Sequence, residues 1–296
     1  MSEKIIECKN LTHYYGKRLI YENLNFSVEK GHIMGLLGKN GCGKTTTINI
    51  LNGFLQPRSG EALILGENTQ HLSPETKARL GYLIEGHIQY SFMNIYQIEK
   101  FYSGFYKDWH REAYFELMKK MKILPTQKVS SMSCGQRAQV ALGLILAQNP
   151  DVLVLDDFSL GLDPGYRRLF VDYMREYAKS ENKTVFLTSH IIQDMERLVD
   201  DILIMDYNRV LVRSSVKEFM DSFHQYTFSL ERDDVDLREW GKTIGTDRIK
   251  NHYELYTYAD ESEVKRMLDE KGLKYSDFAR QTMTLEDAFI GLTGKY

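Results

Sequence analysis

Apolar positions in this chain fall into distinct rhythms. Short unbroken apolar runs, Ile33-Met34-Gly35-Leu36-Leu37, Asp151 to Leu155 and Thr184 to Thr188, suit strands buried in a parallel sheet. Leu24-Asn25-Phe26-Ser27-Val28 alternates apolar and polar residues, as a half-covered strand does, and Lys4 to Leu11 also reads as a strand. Helical spacing appears over Thr46 to Phe54 through Ile48, Leu51 and Leu55. It recurs after Met132-Ser133 through Val140, Leu142, Leu144, Ile145 and Ala147, and Gly165 to Lys179 reads as a further helix. Glu61 to Leu65 predicts a strand, Gly66-Glu67-Asn68 a turn, and Lys77 to Glu85 a short helix running into a strand. Asp201 to Asp206 and Arg209 to Arg213 predict a strand pair around Tyr207-Asn208.

Beyond Ser214 the pattern shifts. Tyr226 to Leu230 and Tyr253 to Tyr258 alternate, Glu261 to Lys271 is amphipathic, and Thr284 to Leu292 predicts a closing helix. The chain therefore divides into an α/β domain over 1–213 and a small α+β appendage over 214–296. After Glu85 aromatic residues crowd together: Tyr90, Phe92, Tyr96, Phe101, Tyr102, Phe105, Tyr106, Trp109, Tyr114 and Phe115. Most are expected to form the core of a helical subdomain, and the remainder a docking face for a partner.

Composition narrows the function classes. The 296 residues are 43% apolar and 27% charged, with a formal net charge of -3, so nothing favours nucleic acid or an anionic membrane surface. Cys8, Cys42 and Cys134 are an odd number without metal-ligand spacing, which suits a reducing cytosol. No apolar run approaches the ~18 residues that span a bilayer, and the N-terminus leads straight into a strand pattern rather than a signal peptide. A membrane role therefore has to run through another chain.

The densest chemistry lies at Gly38-Lys39-Asn40-Gly41-Cys42-Gly43-Lys44-Thr45, which fits G-x-x-x-x-G-K-S/T between a predicted strand and a predicted helix. Glycines let backbone N–H groups approach an anion, and the helix N-terminus aims its dipole at the same point. Lys44 is positioned to reach the β- and γ-phosphates, and Thr45 to offer a hydroxyl to Mg²⁺. Tyr15 either stacks on a base or covers a sheet edge. Asp156-Asp157 ends the most apolar strand, where a Mg²⁺ carboxylate is expected. His190 ends another core strand, a polar group aimed at the same place. Ser133 and Gln136 fit a capping box at a helix start, an arrangement compatible with anion binding. Cys42 and Cys134 lie near helix N-termini; each reads as a small-residue replacement or as a reactive thiol of lowered pKa.

Together these residues resemble the nucleotide-binding subunit of an ABC transporter. The likeness covers about 1–213, and Thr284-Leu285-Glu286-Asp287-Ala288-Phe289-Ile290-Gly291-Leu292-Thr293-Gly294 resembles the tail of ABC-2-type exporter ATPases. The resemblance implies a P-loop NTPase cassette, with a RecA-like core, an antiparallel β subdomain and a helical subdomain over about 86–149. It implies that Tyr15 stacks on adenine, that Gly38 to Thr46 is the Walker A loop, and that Ser133 to Gln136, with Gly135, is the signature. It gives Asp156 the Walker B role with Mg²⁺, Asp157 the place of the catalytic glutamate, Gly161-Leu162-Asp163 the D-loop and His190 the switch position. Glu85 falls at the Q-loop position, as a catalytic and metal-facing residue. ATP and Mg²⁺ are the implied cofactors. The implied partners are a transmembrane permease and a second ATPase subunit, arranged head to tail, at the inner face of the cell membrane.

The chain departs from the family pattern at Glu85, where Gln is usual, at Met132-Ser133-Cys134-Gly135-Gln136, where L-S-G-G-Q is usual, and at Asp157, where Glu is usual. Asp is shorter by one methylene, about 1.5 Å. A misplacement of ~1 Å can cost about 10²-fold in rate. The leading expectation is an ATPase subunit for an ABC-2-type exporter of a peptide, antimicrobial or lipid-like cargo. A mainly ATP-binding partner in an asymmetric dimer is the alternative, and a non-transport ABC protein a third.

Overall fold

A computed structural model describes residues 3–83, 90–158, 161–232 and 235–294. They group into two compact units, Met1–Arg213 and Ser214–Tyr296. The first opens with β1 (Lys4–Tyr15) and β2 (Arg18–Glu29), antiparallel strands joined at Gly16-Lys17. Both are longer than the sequence pattern indicates, because their solvent-facing positions break the apolar alternation. Next come β3 (Ile33–Gly38), α1 (Lys44–Leu51), β4 (Ser59–Ile64) and β5 (Glu67–Asn68). The expected turn at Gly66-Glu67-Asn68 is thus partly a strand, since Glu67 and Asn68 pair with Ile64 and Leu63. Then follow α2 (Pro74–Ala78), β6 (Leu80–Leu83), α3 (Ile95–Ser103), α4 (Arg111–Lys120) and α5 (Cys134–Ala147). The unit finishes with β7 (Val152–Leu155), α6 (Pro164–Ser180), β8 (Thr184–Thr188), α7 (Ile192–Leu198), β9 (Asp201–Asp206) and β10 (Arg209–Ser215).

Two sheets result, an antiparallel one in the order β2-β1-β4-β5 and a six-stranded one in the order β10-β9-β3-β8-β7-β6. In the second, β9, β3, β8, β7 and β6 run parallel. Side chains alternate across a strand, and both faces of this sheet are covered. On one face Leu36, Val154, Phe186 and Leu203 share a core with Phe26 of β2 and with Ile48 and Leu51 of α1. Phe26 and Phe186 stack at 5.2 Å. On the other face Gly35 lies against Met195 of α7, and Gly81 against Ile145 of α5, so close that a β-carbon on Gly81 would sit 2.8 Å from Ile145 Cγ2. Such parallel strands bring their carboxyl ends, Gly38, Leu155 and Thr188, to one rim, where open α/β sheets bind ligands.

The α3–α5 segment overturns one expectation. Among the crowded aromatics only Tyr114 is buried; Tyr90, Phe92, Tyr96 and Phe105 are exposed and the rest half-buried. The buried positions are mainly aliphatic instead, Ile95, Ile98, Leu117, Met118 and Val129 among them, which leaves the rings outside. Gly143 of α5 packs against Met118 and Tyr114 of α4.

The second unit contains α8 (Val216–Ser222), β11 (His224–Leu230), β12 (Thr243–Ile249), β13 (His252–Thr257), α9 (Glu261–Glu270), β14 (Tyr275–Gln281) and α10 (Leu285–Thr293). Its antiparallel sheet has the order β12-β13-β11-β14. Tyr226, Phe228 and Leu255 meet Val264 and Leu268 of α9 in a separate core.

Candidate active site

The glycine loop leaves β3 at Gly38 and enters α1 at Lys44. Gly43 caps the helix at φ 107, and no side chain caps its first turn. Those N–H groups therefore remain available to an anion. A β-carbon on Gly43 would lie 2.7 Å from Ile20 Cγ2 and 2.9 Å from the Tyr21 ring, so only glycine fits between loop and hairpin. Lys44 Nζ donates to Gly38 O at 2.7 Å and to Lys39 O at 3.3 Å. Its charge is thus held over the loop by neutral acceptors that a phosphate can replace.

Opposite stand the two acids. Asp156 and Asp157 follow β7 and are 4% and 6% exposed. Thr188 Oγ1 donates to Asp156 Oδ1 at 2.6 Å and accepts from Asp157 N at 2.9 Å. Asp157 has φ 45, a left-handed conformation that Asp tolerates better than most residues. Its Oδ1 accepts from His190 N at 3.2 Å. Its Oδ2 is buried without a hydrogen bond, with His190 Nε2 at 3.4 Å.

Loop and acids line one open cavity of about 240 Å³. Of the residues singled out from sequence it gathers Tyr15, Asn40, Gly41, Gly43, Lys44, Thr45, Thr46, Asp156, Asp157 and His190. Gly38, Lys39 and Cys42 belong to the loop but are not among the lining residues. Ser133, Gly135, Gln136 and Asp163 also lie off this cavity, and Glu85 lies outside the described residues. Arg18, Ile20, Thr188 and Ser189 also line it. Sequence reasoning passed over them because an arginine at a hairpin and hydroxyls at a strand end carry no distinctive spacing.

Tyr15 is 50% exposed; its hydroxyl is 3.4 Å from Thr46 Oγ1 and its ring meets the His13 edge at 4.8 Å. Burial, helped by the Arg58 charge, lowers the His13 pKa. The reactive-thiol reading fails at Cys42. Burial pushes its pKa up despite Lys44 and nearby N–H groups, which act in the other direction. Cys134 is exposed.

The segment from Ser133 to Gln136 forms the capping box: Ser133 Oγ accepts from Gln136 N, and Gln136 Oε1 accepts from Ser133 N. Gln127 Nε2 also donates to Gln136 Oε1, at 3.2 Å. A β-carbon on Gly135 would lie 2.5 Å from Gly161 O, so the α5 start and the Gly161 loop touch backbone to backbone.

The donor set fits Mg²⁺. The Thr45 hydroxyl and the Asp156 carboxylate line the same cavity as the glycine loop, which gives one hydroxyl and one carboxylate beside the place for phosphate. Magnesium takes one or two carboxylates and completes its shell with phosphate and water. Among the described residues no group of three or more His, Cys, Asp or Glu side chains could hold a metal by itself.

Strand, glycine loop, helix start and facing acids define a P-loop nucleotide-binding domain. Residues 21–159 match the ABC transporter family model. The chain carries an ATP-binding domain of the ABC transporter family. It is 26% identical to an uncharacterized ABC transporter ATP-binding protein of Bacillus subtilis, over 98% of this chain and 96% of that one. It is 28% identical to the bacitracin transport ATP-binding protein of Bacillus licheniformis, over 98% and 97%. A solved structure of a dimeric ATP-binding cassette in a post-hydrolysis state, bound to ADP and Pi, shares its fold. The TM-score is 0.63 and the identity 20%, over 72% of this chain and 99% of that one. The α/β cassette expected from the resemblance is therefore the fold of the chain. Among the described residues no helix is long and apolar enough to cross a membrane.

Proposed function

We propose that this chain is the ATP-hydrolysing subunit that powers export through a separate ABC-2-type permease. The observation that carries the reading is the convergence of Lys44, the glycine loop, Asp156 and Asp157 on one cavity. Tyr15 stacks on the base, and loop N–H groups with Lys44 hold the phosphates. Thr45 and Asp156 hold Mg²⁺, which when bound neutralises charge on the β- and γ-phosphates. Asp157 orients the attacking water and takes its proton as the bond to the γ-phosphorus forms and the bond to the bridging oxygen breaks. His190, beside Asp157, holds that carboxylate and the departing phosphate in register.

A second ATPase subunit covers the site with Ser133, Gly135 and Gln136, and Asp163 lies in the loop that meets it. The dimeric state of the fold neighbour supports this arrangement. The exposed rings of Tyr90, Phe92, Tyr96 and Phe105 support docking on a permease at the inner face of the membrane, together with Glu85. The bacitracin relative supports a peptide, antimicrobial or lipid-like cargo.

One observation favours a second reading, a mainly ATP-binding half of an asymmetric dimer. The short Asp157 carboxylate already accepts a hydrogen bond from His190 N at 3.2 Å, which ties one of its two oxygens to the strand end. A single assay of Mg²⁺-ATPase rates in wild type, Lys44→Ala and Asp157→Glu separates the two. Lys44→Ala is expected to lower turnover by about 10²-fold or more, and equal rates would remove the enzymatic claim. A large gain in Asp157→Glu would favour the binding role, whereas a loss would show that Asp157 already acts as base.

A further inference from the structure

We infer that Arg18 is a second cation for the phosphate chain of the bound nucleotide, held at Gly41 of the glycine loop where Lys44 is held at Gly38 and Lys39. The inference rests on the ATP reading above and adds a residue that the phosphate-loop pattern does not contain. Arg18 opens β2 and pairs in register with Tyr15 across the hairpin turn. It lines the same cavity as Lys44, Thr45 and the two acids.

Its guanidinium lies over the crest of the loop. Arg18 Nη2 is 3.4 Å from Gly41 O, the long limit of an N–H···O bond, and a β-carbon on Gly41 would lie 2.8 Å from Nη2. That weak bond is its one side-chain interaction among the described residues, and it forms no ion pair there. Neither carboxylate of the cavity pairs with Arg18: Asp156 accepts from Thr188, and Asp157 accepts from His190 N through one oxygen and has His190 Nε2 3.4 Å from the other. A guanidinium has five N–H donors in a planar fork and pairs with phosphate through two of them. Here it stands exposed beside N–H groups that converge on an anion, with nearly all its donors unspent. Lys44 is buried deeper, with its ammonium already bonded to two carbonyls. The two cations therefore differ in kind: Lys44 supplies a fixed inner charge and Arg18 an outer one that closes over the phosphates.

Equilibrium binding of ATP and of adenosine to wild type, Arg18→Gln and Arg18→Lys tests this without relying on turnover. Losing a charge-assisted phosphate contact is expected to weaken ATP about tenfold in Arg18→Gln, with adenosine unchanged and partial recovery in Arg18→Lys. Because the contact is exposed, the gap between wild type and Arg18→Gln should narrow as salt rises. Unchanged ATP affinity in Arg18→Gln would overturn the inference. So would an equal weakening of ATP and adenosine, which would mark a disturbed hairpin rather than a lost phosphate contact. Wild type that binds adenosine and ATP alike, or neither, would remove the ATP reading itself along with the inference.

Discussion

Thr188 contributes one hydroxyl, and that hydroxyl fixes both acids: it donates to Asp156 and accepts from the Asp157 amide. Thr188→Val keeps the shape and leaves a buried acceptor and a buried donor unsatisfied. The expected loss is about 1–3 kcal/mol of stability, read by urea denaturation, together with slower ATP turnover. Thr188→Ser, which restores the hydroxyl, should recover most of both. A wild-type denaturation curve for Thr188→Val would show that the two bonds carry no weight. Residues of this kind explain what stayed hidden in the sequence. The loop from Gly38 to Thr45 could be read because its chemistry needs glycines and a lysine at fixed intervals along the chain. Thr188 and Arg18 come to the cavity from distant segments, and neither residue type points to phosphate by itself. Cys42 shows the converse. Its place by a helix start suggests an activated thiol, yet burial, invisible locally, raises its pKa.

At the scale of elements, the phosphate loop works because α1 begins without a side-chain cap and Gly43 passes close under the hairpin. Gly43→Ala places a methyl group against Ile20 and Tyr21 at a left-handed φ, which costs about 1–3 kcal/mol or forces the loop to shift. ATP affinity is expected to fall about tenfold or more on that account. Circular dichroism should remain that of the wild type, since the strain is local. Undiminished affinity would mean that the loop tolerates a side chain there. The buried parallel strands β3, β7 and β8 were legible as unbroken apolar runs, since both their faces are covered. The strands β12 and β14 were not. They are the edges of their sheet, with sequences Thr243–Ile249 and Tyr275–Gln281 rich in polar and charged residues. Aromatic crowding misled for a related reason: Ile95, Ile98, Leu117 and Met118 fill most of the interior of the helical segment, and every ring but that of Tyr114 is left exposed or half-buried.

At the scale of the whole molecule, each compact unit has its own core, one built around Phe26, Ile48 and Phe186 and the other around Tyr226, Phe228 and Leu255. A chain ending at Arg213 keeps every residue that lines the nucleotide cavity. It is expected to unfold cooperatively in urea and to bind ATP with wild-type affinity. Loss of binding in a folded fragment would give the second unit a part in the site. The contact between Gly135 and Gly161 has a mechanical consequence. Helix α4 packs against α5, where Gly143 meets Met118 and Tyr114, and in the first turn of α5 the backbone at Gly135 abuts the carbonyl of Gly161, with the Cys134 side chain against the same glycine. With no room for a β-carbon at Gly135, the start of α5 and the Gly161 loop mesh like neighbouring gear teeth, and neither can turn without displacing the other.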